Sequence, residues 1–364
     1  MKALYVTSFH TFSGKTALCL GLGLRFQTEG YKVGYLKPLS THPWQVTCGT
    51  TDEDADFVRK VLHLVENPCD MVSVVLNQDL LMQELTGPSS QDLLGKVKGD
   101  FERVAVGKDV MLLEGGASLR EGFSVGLGTP VVAEALDAPA LAVTPYLDRM
   151  SFMDDCMVGG LRLGDRLVGV VANKVPNEEM DFVNNIAGPY LEKQGIPLLG
   201  ALPHREQLQA ISVGELSDVL QGEFLCLPDK KDVLIERMIV GAMSVEQALP
   251  RIRRIAGAKA VITGGDRADM QLVALETATK CLVLTGHLRP VPEVLRRAEE
   301  IGVPVVLVRG STMETVEAIE EVFGKTRLGQ AAKLDQFGSL LADHFDFKRL
   351  CEALELQCPS AQSS

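Results

Sequence analysis

The fold is decided near the start of the chain, where residues 3–16 read ALYVTSFHTFSGKT. Ala3 to Thr7 are largely apolar and β-branched, which predicts a buried strand, and the turn after them leads into a helical stretch that begins at Lys15. Backbone N–H groups at such a helix N-terminus bind phosphate, because the helix dipole adds partial positive charge there. Gly14-Lys15-Thr16 supplies the second half of the phosphate-loop pattern G-x-x-x-x-G-K-[ST]. The stretch therefore predicts a nucleotide phosphate site.

The first glycine of that pattern is absent, and Ser8 or Phe9 stands in its place. In a phosphate loop the lysine reaches the outer phosphates and the following hydroxyl holds Mg²⁺, which are the roles predicted for Lys15 and Thr16. A chance Gly-Lys-Thr at the start of an ordinary helix is the alternative. The strand directly before the turn favours the nucleotide site.

Short apolar runs alternate with amphipathic stretches over the first two hundred residues, which predicts an α/β fold with a parallel sheet covered by helices. The predicted strands are Ala3–Thr7, Val33–Leu36, Val110–Leu113, Ala140–Thr144, Leu167–Ala172 and Leu198–Leu202. The predicted helices are Lys15–Glu29, Asp54–Val65, Gln91–Val106 and Glu178–Gln194.

A polar break around Pro228-Asp229-Lys230-Lys231 indicates a second, smaller α/β unit. Its predicted strands are Ala260–Thr263, Cys281–Leu284 and Val305–Val308, with a helix over Val291–Ile301. We expect a first domain over residues 1–210, a second over 211–327, and a C-terminal helix with a frayed tail over 328–364.

Composition excludes several classes of function. The net charge is −12, from 36 Lys and Arg against 48 Asp and Glu, so the chain repels nucleic acid backbones. We find no apolar run of about 18 residues and no signal peptide, so no membrane partner is expected. The eight cysteines form no C-x-x-C pair, which predicts reduced thiols and a cytoplasmic protein.

Five further motifs follow the predicted strands in order. They are Lys37-Pro38, Asp54-Ala55, Glu114-Gly115-Gly116, Asn173-Lys174-Val175-Pro176 and Gly200-Ala201-Leu202-Pro203. With the loop, they resemble dethiobiotin synthetase and its relatives, the cobyrinic acid diamide synthases and the N-terminal domain of long phosphotransacetylases. The resemblance implies a P-loop NTPase-like parallel sheet flanked by helices.

The second unit resembles the DRTGG domain through two stretches. They are Val261-Ile262-Thr263-Gly264-Gly265-Asp266-Arg267 and Leu284-Thr285-Gly286-His287-Leu288-Arg289-Pro290. A dethiobiotin synthetase-like domain followed by a smaller α/β DRTGG domain is the arrangement found in the N-terminal half of long phosphotransacetylases. No stretch of the sequence resembles the acyl-transferring domain that would come next in those enzymes, so acetyl transfer between coenzyme A and phosphate is not expected of these residues.

The resemblance implies ATP and Mg²⁺ as cofactors and assigns the site. Nucleotide binding falls to Thr11, Ser13, Gly14, Lys15, Thr16 and Asn173, catalysis to Lys15 and Lys37, and metal binding to Thr16, Asp54 and Glu114. Hard Mg²⁺ prefers carboxylate and phosphate oxygens, which suits these acids.

Each of these assignments has a plainer alternative. Asp54 also suits the first turn of a helix, where the dipole favours acids. Glu114 ends an apolar strand, where burial without a cation would be costly, so the site interpretation is favoured. Lys37 is either a surface lysine or a contact to the transferred phosphate or the substrate carboxylate. Asn173 either binds a purine edge or forms a turn.

In the second unit, Asp266 and Arg267 form either a ligand loop or an N-cap with a glycine turn. Arg289 repeats the pattern at the next strand. Two such arginine loops at one sheet edge would make a pocket for a second small anionic ligand, provided that the loops lie close together.

Two functions from different classes fit these features. The favoured one is a regulatory nucleotide-binding module that senses nucleotide and a second ligand or contacts a separate acyl-transfer enzyme. The alternative is an ATP-dependent ligase that activates a carboxylate or carbamate through a phosphorylated intermediate. A scaffold with a degenerate site is disfavoured by the joint presence of the lysines and acids. Related synthetases dimerise, so the resemblance also implies a homo-oligomer.

Overall fold

The computed structural model places β1 (Lys2–Ser8), the strand before the phosphate loop, in the middle of a seven-stranded sheet. The structure describes residues 1–87, 92–323 and 331–357. Contacts divide the chain into a first unit, Met1–His204 with the segment from Leu328 onward, and a second unit, Arg205–Arg327. The loop belongs to the first unit.

The strand order in the large sheet is β5-β2-β6-β1-β7-β8-β9, and all of its pairs are parallel. A separate antiparallel hairpin, β3-β4, precedes the second helix. The remaining strands of this unit are β2 (Val33–Ser40), β3 (Trp44–Val46), β4 (Gly49–Thr51), β5 (Val72–Val75), β6 (Val110–Glu114), β7 (Ala140–Pro145), β8 (Leu167–Val175) and β9 (Leu198–Pro203). All six predicted strands exist, because uninterrupted apolar runs suit strands that are buried on both faces.

Helices cover the sheet and connect its strands. They are α1 (Lys15–Thr28), α2 (Glu53–Val61), α3 (Gln78–Thr86), α4 (Leu93–Val104), α5 (Thr129–Ala135), α6 (Arg149–Leu163), α7 (Met180–Phe182) and α8 (Gly188–Lys193). A π-helical segment, Val183–Ala187, joins the last two. The four predicted helices are present, with ends that differ by a few residues.

The second unit is built on a five-stranded sheet with the order β11-β16-β15-β14-β13. Only its β11-β16 pair is antiparallel. Helices α11, α12 and α13 pack on one face, and α10 and α14 pack on the other. The elements are α9 (Glu206–Gln209), β10 (Ile211–Ser212), α10 (Val213–Val219), β11 (Glu223–Cys226), β12 (Leu234–Ile235), β13 (Arg237–Val240), α11 (Val245–Arg254), β14 (Lys259–Gly264), α12 (Ala268–Leu275), β15 (Thr279–Thr285), α13 (Pro292–Ile301), β16 (Val305–Leu307) and α14 (Thr312–Phe323).

The C-terminal helices α15 (Ala331–His344) and α16 (Phe347–Ala353) return to the first unit. A Cβ at Gly21 of α1 would overlap Leu341 and crowd Phe337 of α15. That glycine therefore lets two helices approach closely. The predicted frayed tail falls outside the described residues from 358 onward.

Cysteine chemistry differs from the sequence prediction. A disulfide joins Cys48 to Cys69, and Cys351 is also disulfide-bonded, whereas all eight thiols were expected to be reduced. The prediction was wrong for this pair because it considered spacing along the chain, and the pair is brought together when the β3-β4 hairpin folds back. Across the described residues, no helix is both long enough and apolar enough to cross a membrane.

Candidate functional site

The predicted site residues of the first unit meet at the carboxyl edge of its sheet. Strands β2, β6 and β1 are neighbours, so Lys37, Glu114 and the loop after Ser8 end side by side. Ligands of open α/β sheets bind at this edge.

Gly14 gives the loop its entry into α1. Its φ is 98°, in the left-handed region that favours glycine. A Cβ at this position would also overlap Nδ2 of Asn173. Both the backbone conformation and the close approach therefore require glycine.

The first glycine of the pattern would stand at Phe9, five residues before Gly14, and Phe9 has no positive φ, so glycine is not needed there. Ser8 directly precedes that position. It is the last residue of β1, pairs with Val143 and has no positive φ, so a side chain is tolerated. Its buried hydroxyl lies 2.9 Å from Lys15 Nζ and 3.1 Å from the carbonyl oxygen of Ala117. Ser8 therefore places a hydroxyl beside the loop lysine.

Lys15 is buried beneath the segment that follows β6. Its Nζ donates to the Ser8 hydroxyl and, at 3.3 Å, to the Ala117 carbonyl. The amide of Leu119 donates to the Ser8 carbonyl at 2.8 Å, which fixes the segment over the loop. Burial lowers the pKa of Lys15, and the Glu114 carboxylate partly offsets that effect.

Glu114 is the acidic centre of this edge. Thr16 Oγ1 donates to its Oε1 at 2.7 Å, and the Tyr35 hydroxyl donates to its Oε2 at 2.8 Å. Lys37 Nζ lies 3.9 Å from Oε1. Burial raises the pKa of Glu114, although the positive charge of Lys37 counteracts it.

The acid nearest to Lys37 is one that the sequence analysis missed. Lys37 Nζ lies 2.9 Å from Asp52 and 3.5 Å from Asp54. Burial alone would lower the pKa of Lys37, but Glu114 and the two aspartates raise it overall.

Asp52 is buried and serves as the N-cap of α2, accepting hydrogen bonds from the amides of Asp54 and Ala55. Burial tends to raise its pKa, but Lys37 and the hydroxyl of Ser40 lower it overall. A polar residue directly before a helical run is the N-cap signal that could have identified it. Asp54, by contrast, has a side chain that is 53% exposed.

Two neighbouring residues of β8 hold the loop backbone. Asn173 Nδ2 donates to the Ser13 carbonyl at 2.8 Å, and Lys174 Nζ donates to the Phe12 carbonyl at 3.0 Å. Burial lowers the pKa of Lys174, a second residue that the sequence analysis missed. The structure gives Asn173 a loop-supporting contact, and its contact with a purine stays a prediction.

The remaining loop residues differ in their surroundings. Thr11 is exposed at the loop. Ser13 is buried, and its hydroxyl has no hydrogen-bond partner in the structure. His10 Nε2 lies 2.8 Å from Asp155, which also accepts from Thr144 at 2.9 Å. A buried polar atom without a partner is costly, so the Ser13 hydroxyl fits a loop that binds an anionic ligand.

The predicted metal residues lie together only in part. Thr16 and Glu114 are in contact, whereas Asp54 lies beyond Lys37. Within the described ranges, no cluster of three His, Cys, Asp or Glu side chains has metal-binding geometry. Mg²⁺ usually retains several of its water ligands and also binds phosphate oxygens. One hydroxyl and one carboxylate from the protein are therefore sufficient for a Mg²⁺ site. Metal binding stays a prediction.

In the second unit, the two glycine-rich loops are in contact. A Cβ at Gly265 would overlap the Leu288 carbonyl. However, Arg267 is paired with Asp269 at 3.1 Å, and Arg289 is paired with Glu223 at 2.7 Å. The loops are as close as the predicted anion pocket requires, but a ligand would have to replace both carboxylates.

Comparison with protein families supports both domain predictions. The AAA domain family matches residues 2–212, and the DRTGG domain family matches residues 215–322. The predicted order, a dethiobiotin synthetase-like P-loop unit followed by a DRTGG domain, is confirmed.

The chain is similar to phosphate acetyltransferases. Those of Pseudomonas putida and Pseudomonas aeruginosa are each 23% identical to it over 95% and 93% of its length. The matches cover 51% and 50% of those proteins, so the chain spans about half their length and resembles their N-terminal half.

Solved structures show weaker similarity. The CBS and DRTGG domains of the regulatory region of Clostridium perfringens pyrophosphatase, complexed with diadenosine tetraphosphate, match with a TM-score of 0.28 and 18% identity, over 42% of this chain and 71% of that one. A nucleotide-binding protein from Archaeoglobus fulgidus, in complex with ADP, matches with a TM-score of 0.31 and 15% identity, over 56% and 81%.

Proposed function

Because the chain belongs to the AAA domain family and carries a DRTGG domain behind it, we propose that it is a regulatory module that binds ATP with Mg²⁺. The observation that carries the proposal is the loop at the N-terminus of α1. Gly14 sets its conformation, Lys15 lies under it, and the buried hydroxyl of Ser13 lacks a partner. Free donors at the N-terminus of a long helix form an anion site.

The neighbouring residues suit a nucleotide that is bound with a metal ion. Thr16 and Glu114 would hold Mg²⁺, which would neutralise charge on the phosphates. Lys15 and Lys37 would face the phosphate oxygens, and Asn173 and Lys174 would keep the loop in shape. Two buried lysines beside two buried acids balance the charge until an anion arrives.

The similarity to about half the length of each phosphate acetyltransferase supports a regulatory role. We propose a second ligand at the DRTGG domain, a separate acyl-transfer enzyme as partner, a homo-oligomeric state and a cytoplasmic location. A ligase that activates a carboxylate is the second candidate, since buried Lys37 lies at the same edge as Lys15.

The test is calorimetric titration with ATP, ADP and GTP, with and without Mg²⁺. Lys15→Ala should abolish binding and leave the fold intact, and the exposed Lys98→Ala serves as the matched control. Phosphate release is measured in the same samples with short carboxylates present. Tight binding without turnover supports the sensor, whereas carboxylate-stimulated release favours the ligase. Absence of binding by the wild type refutes both.

A further inference from the structure

The Cys48–Cys69 disulfide joins two segments that both lead to Lys37. Cys48 lies between β3 and β4, and Cys69 lies in the 3₁₀ turn Pro68–Asp70. On the first side, the chain runs through β4 to Asp52, whose carboxylate lies 2.9 Å from Lys37 Nζ. On the second side, the carbonyl of Met71 accepts a hydrogen bond from the Lys37 amide at 2.8 Å. One covalent bond therefore links two segments that each lead to a contact with this lysine.

The hairpin has little other support. Trp44, Gln45, Gly49 and Thr50 are exposed, so the hairpin buries little apolar surface. Besides the disulfide, Thr51 Oγ1 donates a hydrogen bond to the Pro68 carbonyl at 2.7 Å, and Ser40 Oγ donates one to the Asp52 carboxylate. Segments with few buried contacts open at low free-energy cost. The disulfide is therefore well placed to determine whether the hairpin stays closed.

The disulfide is also accessible to thiols. Cys48 is exposed and Cys69 is half-buried. The four free cysteines of the described residues, by contrast, are buried: Cys19, Cys156, Cys226 and Cys281. Exposed disulfides exchange with external thiolates, whereas buried thiols are inert.

We propose that the Cys48–Cys69 disulfide is a thiol switch for the nucleotide site, an inference that rests on the proposed function. In the disulfide form, the closed hairpin holds Asp52 against Lys37 and caps α2. A small dithiol reduces the bond: the two sulfurs gain two electrons and two protons, and the dithiol is oxidised to its own disulfide. The hairpin then opens, Asp52 leaves Lys37, and affinity for Mg·ATP falls.

The experiment compares the full chain with and without dithiothreitol in two measurements. Hydrogen exchange reports whether the amides of Asp54 and Ala55, which Asp52 caps, exchange faster after reduction. Calorimetry reports Mg·ATP affinity, for which we expect a loss of roughly fivefold or more, the lower end of ordinary coupling. The Cys48→Ser/Cys69→Ser variant should match the reduced protein and should not respond to dithiothreitol. Cys351, which also forms a disulfide, provides the control: Cys351→Ser should respond like the wild type.

The outcomes separate the switch from the proposed function. If reduction leaves the hydrogen exchange of these amides unchanged, or speeds it without changing the affinity for Mg·ATP, the disulfide is only a structural link and the switch is overturned. A response that persists in the double serine variant would overturn it as well, because another bond would be responsible. If neither redox form binds ATP, the proposed function fails and the switch fails with it.

Discussion

Ser8 Oγ lies 2.9 Å from Lys15 Nζ, so the last residue of β1 holds the loop lysine. Ser13, five residues later, has a buried hydroxyl without a partner. The two serines are thus equally buried but differ in what their hydroxyls do: Ser8 organises the protein, and Ser13 is available to a ligand.

Replacing each serine by alanine should separate these roles. Ser8→Ala should lower the free energy of unfolding by about 1 kcal/mol, the ordinary value of a hydrogen bond. Ser13→Ala should leave stability unchanged or raise it, and should weaken ATP binding. Urea unfolding and calorimetry of both variants measure the two effects. A stability loss in Ser13→Ala would mean that its hydroxyl has a partner in the folded protein.

Gly14→Ala tests the close approach between the loop and Asn173. The matched control is Gly30→Ala, because Gly30 has a similar φ of 89° and no atom near its missing Cβ. Both variants carry the backbone cost of about 1 kcal/mol for a left-handed residue, and only Gly14→Ala adds the overlap with Asn173. We expect Gly14→Ala to be less stable than the control and to lose ATP binding. Equal unfolding curves would contradict this account of the glycine.

Asp52→Asn removes the nearest acidic partner of Lys37. Lys37 keeps Asp54 at 3.5 Å and Glu114 at 3.9 Å, so the loss should be smaller than the cost of about 3–5 kcal/mol for a fully unpaired buried charge, but the variant should still unfold at lower denaturant concentration than the wild type. Asp54→Asn should cost less than about 1 kcal/mol, since its carboxylate is half exposed. Guanidinium unfolding of both variants measures the difference. If Asp54→Asn were the more damaging, Asp54 would be the principal partner of Lys37.

Much of the fold could be predicted from the sequence, because strands and helices are indicated by patterns of neighbouring residues. Buried parallel strands require uninterrupted apolar runs, and Val110 to Leu113 is such a run in the sequence and a strand in the structure. The edge strand Val72–Val75 was missed, since a run of four residues carries little pattern. The helix Arg149–Leu163 was also missed, because apolar residues such as Met150 and Leu161 are exposed on it and blur its amphipathic pattern.

The carboxyl ends of parallel strands meet at one edge of the sheet, where ligands bind. That rule depends only on strand direction, so it predicts that Lys15, Lys37 and Glu114 lie together. The partners of these residues depend on how loops turn in space. Asp52 reaches Lys37 only after the hairpin folds back, and no spacing along the chain expresses that. The same folding back of the hairpin places Cys48 beside Cys69, and for this reason the disulfide was not predicted.

Glu114→Gln tests the predicted metal site. If Thr16 and Glu114 hold Mg²⁺, the ratio of ATP affinities with and without Mg²⁺ should fall by about tenfold, as is usual when a group supporting a metal is lost. Glu134→Gln, at an exposed carboxylate, is the control. Titration of each variant at several Mg²⁺ concentrations gives the ratio. Full Mg²⁺ dependence in Glu114→Gln would remove Glu114 from the metal site.

The pH dependence of stability should separate the two buried acids. Burial raises the pKa of Glu114 above its ordinary 4.5, so the folded state binds this proton more tightly than the unfolded state. Its contribution to stability is therefore full below pH 4.5 and is lost as the pH rises through the raised pKa. Asp52 has a lowered pKa, so its contribution is present above its ordinary 3.8 and is lost as the pH falls below that value. Urea unfolding between pH 3 and 8 should thus show that Glu114→Gln removes a decline above about pH 4.5, and that Asp52→Asn flattens the loss in acid. Parallel profiles for the wild type and Glu114→Gln would mean that Glu114 titrates normally and is not desolvated by the site.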